Sequence, residues 1–238
     1  AIPGSGSSLE DLGKLGAAGL NIVCNEELGL KLAQHLEKVF GTPYVVVGMP
    51  YGIEGTQDWL ERIHKVLPCE NLQAVKEEGK ELLERLISQG NDYRGVWGSL
   101  WFDNVILAAP GTQALCMAQA LRREWADMGE LTVICQHAVK TADYCDVADK
   151  VLVVGKDAAE IESLLQNAED VLLLASSSEA SVLRRRRVDF SYSNIAYPCA
   201  DEVLFTEVPF VGLQGAAHML QKLWNAYITK AIKEQVDK

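Results

Sequence analysis

Residues 105–135 are VILAAPGTQALCMAQALRREWADMGELTVIC. Val105–Ala109 is a short apolar run typical of a buried strand, and Leu131–Cys135 is a second run of the same kind. Between them, Ala114–Met128 has apolar residues at helical spacing, and Gly129 is predicted to end that helix. Strand, helix and strand in this order predict a βαβ unit with two parallel strands.

Strand and helix patterns alternate in the same way on both sides of these residues. Apolar runs predict four further strands, and apolar residues at helical spacing predict the helices that connect them. The predicted strands are Leu20–Cys24, Tyr44–Val47, Val151–Val154 and Val171–Leu174. The sequence therefore predicts an α/β protein with two Rossmann-like parallel-sheet units joined by a helix.

Residues at the predicted helix ends fit these boundaries. Gly41 is predicted to end the helix after the first strand, and Thr56 is predicted to cap the helix after the second. The pairs Ser7 with Glu10 and Asp157 with Glu160 have the spacing of capping boxes.

The domain organisation follows from a break at Pro68. We predict an incomplete first unit over residues 1–68, a connecting helix over 69–92, and a second unit over 93–238. The last helix, Gln214–Val236, is expected to pack across the units. No strand precedes the first predicted helix, so we expect this chain to be part of a larger subunit, or to take that strand from another chain.

Charge and hydropathy limit the classes of partner. The net charge of −11 would repel phosphate groups, which argues against nucleic acid and anionic membranes. No apolar run approaches the roughly 20 residues of a membrane span, and no charged and then apolar leader opens the sequence. We expect a cytoplasmic protein whose partner is a protein or a small ligand.

The six cysteines and four histidines show no spacing typical of a metal site. Most of the cysteines are interpreted as buried thiols. Cys24 differs because it ends a strand and precedes a helix start, where a thiolate is stabilised. Its position alone leaves two roles open, a buried structural thiol and a ligand of a soft metal or cluster.

Ligand contacts are expected in the loops that follow the strands, because ligands of open parallel sheets bind beyond the carboxyl ends of the strands. Backbone amides and hydroxyls at the helix starts there would suit an anion, although each is equally explained as a helix cap. The basic cluster Arg184–Arg187 is interpreted as a solvated face or partner contact, with a phosphate site as the alternative. The candidate ligand-binding residues are Gly52, Glu54, Thr56, Gly111, Thr112, Ser176 and Ser177.

Two segments resemble the nitrogenase component 1-type oxidoreductases. The first runs from Cys24 through the Gly-Thr-Pro-Tyr turn at residues 41–44 to the loop at 49–56, and the second is VPFVGLQGAA at 208–217. In the nitrogenase alpha subunit and its cofactor-scaffold relatives, a cysteine at the position of Cys24 ligates the iron-sulfur-based cofactor. The resemblance implies that the chain covers most of the second and all of the third of three Rossmann-like domains.

The chain also departs from that pattern. Glu202 is aligned with a histidine that ligates the nitrogenase cofactor, Glu26 is aligned with an arginine, and the Pro110-Gly111 loop lacks the family's arginine. A nitrogenase-like reductase or a cofactor-assembly scaffold is therefore favoured over dinitrogen reduction. The resemblance implies an iron-sulfur-based cluster or a tetrapyrrole-like ligand in an interdomain cleft.

The resemblance also implies two protein partners, a sister component 1-like subunit and an ATP-dependent iron-sulfur reductase that supplies electrons. Two other functions stay open. One is a non-redox module whose two lobes close on a small anionic ligand. The other is a structural fragment whose apolar surfaces pair with a sister subunit.

Overall fold

The computed structural model describes residues 8–139, 146–203 and 209–236, and over these residues the chain is an α/β protein with parallel sheets. The strands are β1 (Asn21–Val23), β2 (Tyr44–Val46), β3 (Trp101–Ala109), β4 (Asp127–Cys135), β5 (Lys150–Val153), β6 (Val171–Ala175) and β7 (Phe190–Asn194). The helices are α1 (Leu9–Gly13), α2 (Glu26–Phe40), α3 (Gly52–His64), α4 (Leu72–Trp97), α5 (Gly111–Ala120), α6 (Ala158–Gln166), α7 (Ser177–Arg185) and α8 (Gly212–Val236). The predicted fold class is confirmed.

The first unit is built on two short parallel strands. β1 pairs with β2 in the register Val23 to Val46, and α2 crosses between them. α2 ends at Gly41, whose φ of 72° is the left-handed conformation that favours glycine at a helix end. α3 then follows β2 after a short loop.

Two predicted caps differ from the structure, and a third lies partly outside the described residues. The helix predicted to start at Thr56 begins at Gly52, and the Thr56 hydroxyl instead donates to the carbonyl of Gly52 at 2.5 Å. Ser7 lies outside the described residues, and the capping box of α1 joins Ser8 and Asp11. The Asp157 side chain makes no cap of α6 and accepts from the amide of Val153 at 2.8 Å.

The second unit is a five-stranded parallel sheet in the order β5, β4, β3, β6, β7. The chain moves outward from β3 to β4 and β5, and then returns to β6 and β7 on the other side of β3. The loops after β3 and β6 therefore flank the point where the direction reverses, which is where open parallel sheets bind ligands. β7, a polar edge strand, was not predicted.

The predicted boundary between the helix of residues 114–128 and the following strand is wrong. α5 passes into a π-helical turn, Leu121–Trp125, and β4 already begins at Asp127. Gly129 therefore lies inside a strand. A Cβ at this position would come within 2.5 Å of the carbonyl oxygen of Asp103, so glycine allows β3 and β4 to approach each other here.

Apolar residues on both faces of the five-stranded sheet form the core. Alternate residues of β3, such as Leu107, pack with α5 and α8 on one face, whereas Ile106 and Ala108 pack with α6 and α7 on the other. A small cluster of Ile53, Leu82 and Ala216 joins α3, α4 and α8, and so connects the two units. α4 continues to Trp97, five residues beyond the predicted connecting helix. No helix among the described residues is long and apolar enough to span a membrane.

Candidate functional site

A cleft of about 800 Å³ lies between the first unit and the helix formed by α5 and its π-helical turn. Residues of β2, the following loop and α3 form one wall, and one face of α5 forms the other. On α5, the lining positions recur at helical spacing. The side chains that give the cleft its chemistry are Glu26, Met49, Tyr51, Glu54, Trp59, Arg62, Thr112, Cys116, Gln119, Arg123 and Glu124.

The start of α3 holds a carboxylate that comes from the second unit. The amide of Ile53 donates to Glu124 Oε2 at 2.6 Å, and the amide of Glu54 donates to Glu124 Oε1 at 3.0 Å. Gly52 has a φ of 75°, and a Cβ at this position would overlap the Glu124 carboxylate. The glycine loop that sequence patterns assign to a ligand therefore accommodates an acidic side chain of the protein itself.

The start of α5 holds a carboxylate that comes from the first unit. The amide of Thr112 donates to Glu27 Oε1 at 2.6 Å, and the Thr112 hydroxyl donates to the other oxygen of the same carboxylate. A Cβ on Gly111 would overlap Glu27, so glycine is required here for the same reason as at Gly52. Thr112 also lines the cleft.

The third predicted loop is satisfied locally. Ser176 forms a capping box with Glu179, and its own hydroxyl accepts from the amide of Ser178 at 3.2 Å. The Ser177 hydroxyl donates to Asp201 Oδ1 at 2.7 Å. Of the seven predicted ligand-binding residues, Glu54 and Thr112 line the cleft, whereas Ser176 and Ser177 lie outside it. A ligand-binding role for these residues stays a prediction.

Cys24 follows β1 and is half-buried, but it is not one of the residues that line the cleft. Burial raises the pKa of its thiol, and the neighbouring indole of Trp59 lowers it by less. A raised pKa disfavours the thiolate, which is the form that binds metal.

The donors among the described residues do not by themselves make up a metal-cluster site. Within the described residues, no three side chains of His, Cys, Asp or Glu converge as a metal site. Cys24 would be a single soft ligand, and further ligands would have to come from elsewhere. Glu26 lines the cleft, whereas Glu202 pairs with Lys222 of α8 at 3.2 Å.

Several residues of the cleft were not predicted from sequence. Tyr51 is buried, and that burial raises the pKa of its hydroxyl. Cys116 lies one helical turn after Thr112 and faces the same cleft, so the helical spacing could have indicated it. Nothing local in the sequence indicates Glu27 or Glu124, because their partners are 85 and about 70 residues away.

Charges of both signs surround the cleft. Burial raises the pKa of the Glu124 carboxyl, while the amide hydrogen bonds from α3 lower it and the nearby Glu54 adds to the rise. Arg123 lies 3.9 Å from Glu54. Arg184, in the predicted basic cluster, does not line this cleft. It lies on α7 and pairs with Asp201 at 2.6 Å.

The sequence of this chain is similar to known proteins over nearly its whole length. The family model described as nitrogenase component 1 type oxidoreductase matches residues 1–228. The B subunit of light-independent protochlorophyllide reductase from Nostoc punctiforme is 24% identical over 236 residues, which cover 93% of this chain and 44% of that protein. Its counterpart from Zygnema circumcarinatum is 27% identical over 242 residues, with 93% of this chain and 45% of that protein covered.

A solved structure shares the fold. The structure described as "Nitrogenase Cp1 at pH 6.5" superposes with a TM-score of 0.71 at 17% identity, and the match covers 96% of this chain and 51% of that one. The chain thus spans about half the length of the proteins it matches.

Proposed function

Since the chain belongs to the nitrogenase component 1-type oxidoreductases, we propose that it is the part of a reductase subunit that binds a tetrapyrrole-like ligand in the cleft between its units. The single observation that carries this proposal is the cleft itself. Its volume of about 800 Å³ is in the range of sites for organic ligands, about 300–1,000 Å³.

The lining of the cleft supports an organic ligand over a metal cluster. Trp59 and Met49 offer apolar contact area, and an aromatic ring can stack on a planar ligand. Arg62 and Arg123 would pair with carboxylates at the edge of such a ligand. The relatives from Nostoc and Zygnema are named as reductases of protochlorophyllide, which is a tetrapyrrole.

A metallocluster is the second candidate, and the match to the nitrogenase component 1 family favours it. In that case Cys24 would be one ligand of an iron-sulfur-based cluster, and the remaining ligands would come from outside the described residues. A cofactor-assembly scaffold would bind such a cluster in the same cleft. Iron retention therefore separates the two candidates.

The activity and partners of the whole enzyme are part of the proposal. The relatives are named as subunits, which supports assembly with a sister component 1-like subunit. Electrons would come from an ATP-dependent iron-sulfur reductase, and the complex would act in the cytoplasm. This chain would contribute the ligand-binding cleft.

Binding of protoporphyrin IX, followed by absorbance and by tryptophan fluorescence, tests the proposal. We expect saturable binding that Trp59→Leu weakens about threefold to tenfold, which is the contribution of one aromatic contact. Trp101→Leu is the matched control, because Trp101 is an exposed residue of β3 outside the cleft. Absence of saturable binding, or equal affinities of the two variants, would exclude a tetrapyrrole site in this cleft.

A further inference from the structure

Each unit places one carboxylate at the start of a helix in the other unit. Glu27 of α2 accepts the amide and hydroxyl of Thr112 at the start of α5. Glu124 of the π-helical turn accepts the amides of Ile53 and Glu54 at the start of α3. Both contacts match an anion to the positive end of a helix dipole.

The two contacts bracket the cleft. Thr112 and Glu124 lie at opposite ends of one continuous helix, and 12 residues at 1.5 Å each place them about 18 Å apart. Between them, Cys116 and Gln119 line the cleft. The two carboxylates are therefore placed where they can fix how the first unit sits on α5.

Both contacts require glycine in the helix start that receives the carboxylate, Gly52 in α3 and Gly111 in α5. A Cβ on either Gly52 or Gly111 would overlap the carboxylate that the opposite unit supplies. Each carboxylate also accepts two hydrogen bonds, and hydrogen bonds to charged groups are among the stronger ones in proteins.

The two ends of the cleft are not equivalent. At the Glu124 end, α3 also packs on α4 and α8 through Ile53, Leu82 and Ala216. At the Glu27 end, the hydrogen bonds from Thr112 connect α2 to the start of α5. A rigid rotation of the first unit would pivot at the packed end and separate the Glu27 end.

We propose that the cleft is hinged, with Glu27 and Thr112 as its latch and the start of α3, held by Glu124, as its hinge. Loss of the latch opens the cleft and leaves the hinge in place. Loss of the hinge contact also loosens the latch, because the first unit is then no longer oriented towards α5. This inference does not depend on which ligand the cleft takes.

Hydrogen exchange resolved to single amides, with alkylation of Cys116 followed by peptide mass spectrometry, tests the proposal on the full chain. For Glu27→Gln we expect about tenfold faster exchange at Thr112, faster alkylation of Cys116, and unchanged exchange at Ile53. The factor corresponds to the loss of one hydrogen bond to a charged group. Glu81→Gln, a change at an exposed residue of α4, is the matched control and should alter neither readout.

Glu124→Gln should speed exchange at Ile53 and also at Thr112. The proposal is overturned if Glu124→Gln leaves Thr112 exchange unchanged, or if Glu27→Gln leaves Cys116 alkylation at the rate of the control. Each carboxylate would then be only a local helix cap. If Glu124→Gln does not fold, Thr112→Val removes the hydroxyl half of the latch. It must then speed Cys116 alkylation for the proposal to stand.

Discussion

Replacing Gly111 by alanine should break the contact between Glu27 and α5. The new Cβ would overlap the Glu27 carboxylate and lie 2.6 Å from Cγ1 of Val139. We expect the flexible Glu27 side chain to move away and lose both hydrogen bonds to Thr112. Two hydrogen bonds to a charged acceptor contribute about 3 kcal/mol at the low end of their range, and alanine restores at most about 1 kcal/mol as the better helix former. The free energy of unfolding should therefore fall by about 2 kcal/mol.

Urea denaturation followed by far-UV circular dichroism measures this loss in the wild-type background and in Glu27→Ala. Without the carboxylate, the Val139 side chain still has to move but no hydrogen bond to Glu27 is left to lose, so the cost of Gly111→Ala should fall by at least about 1 kcal/mol in that background, as expected for residues in contact. Gly155→Ala is the matched control, since a Cβ at Gly155 meets nothing within 4 Å. Costs of Gly111→Ala that agree within about 0.5 kcal/mol in both backgrounds would refute the role assigned to Glu27.

Three further outcomes are expected. After anaerobic iron-sulfur reconstitution, the chain, Cys24→Ala and the control Cys69→Ala should all hold far less than stoichiometric iron; stoichiometric iron lost only from Cys24→Ala would instead establish a cluster ligand. Burial raises the pKa of Glu124 above 4.5 in the folded protein, so the wild-type protein should gain stability relative to Glu124→Gln as the pH falls from 7 towards 4.5. If urea titrations show that the difference in unfolding free energy between the two proteins does not change with pH, Glu124 does not have a raised pKa. Gly129→Ala should cost about 1–3 kcal/mol, because its Cβ would meet the backbone carbonyl of Asp103, and an unchanged urea midpoint would show that β3 and β4 can separate without penalty.

The sequence predicts the fold class because apolar runs and helical spacing are local signals. The last five residues of β3 and of β4 and all five of β6 are buried and nearly all apolar, as expected of strand segments covered on both faces. β7 was missed because Ser191 and Ser193 interrupt its apolar pattern at the sheet edge. Glycine is common at helix ends, so the sequence predicts a helix end at Gly129; in the structure, the reason for glycine here is the close approach of the Asp103 carbonyl in β3.

The candidate site was predicted only in part, for a physical reason. Sequence patterns indicated Gly52 and Gly111 as places where a backbone could approach an anion. The anions in the structure are Glu124 and Glu27, which belong to the protein and lie far away in sequence. No local pattern reports such a partner, because the contact exists only once the units are packed together.

The π-helical turn that carries Glu124 has a consequence for comparisons among relatives. In it, the amide of Ala126 donates to the carbonyl of Leu121 five residues back, so the turn contains one residue more than an α-helical turn. Deletion of one residue between 121 and 123 would restore the α-helix and rotate Glu124 by about 100° around the helix axis. A homologue with that one-residue gap in its alignment would keep an acidic residue nearby and yet point it away from α3. Among relatives, the length of this segment should therefore indicate the contact with α3 better than the presence of a glutamate does.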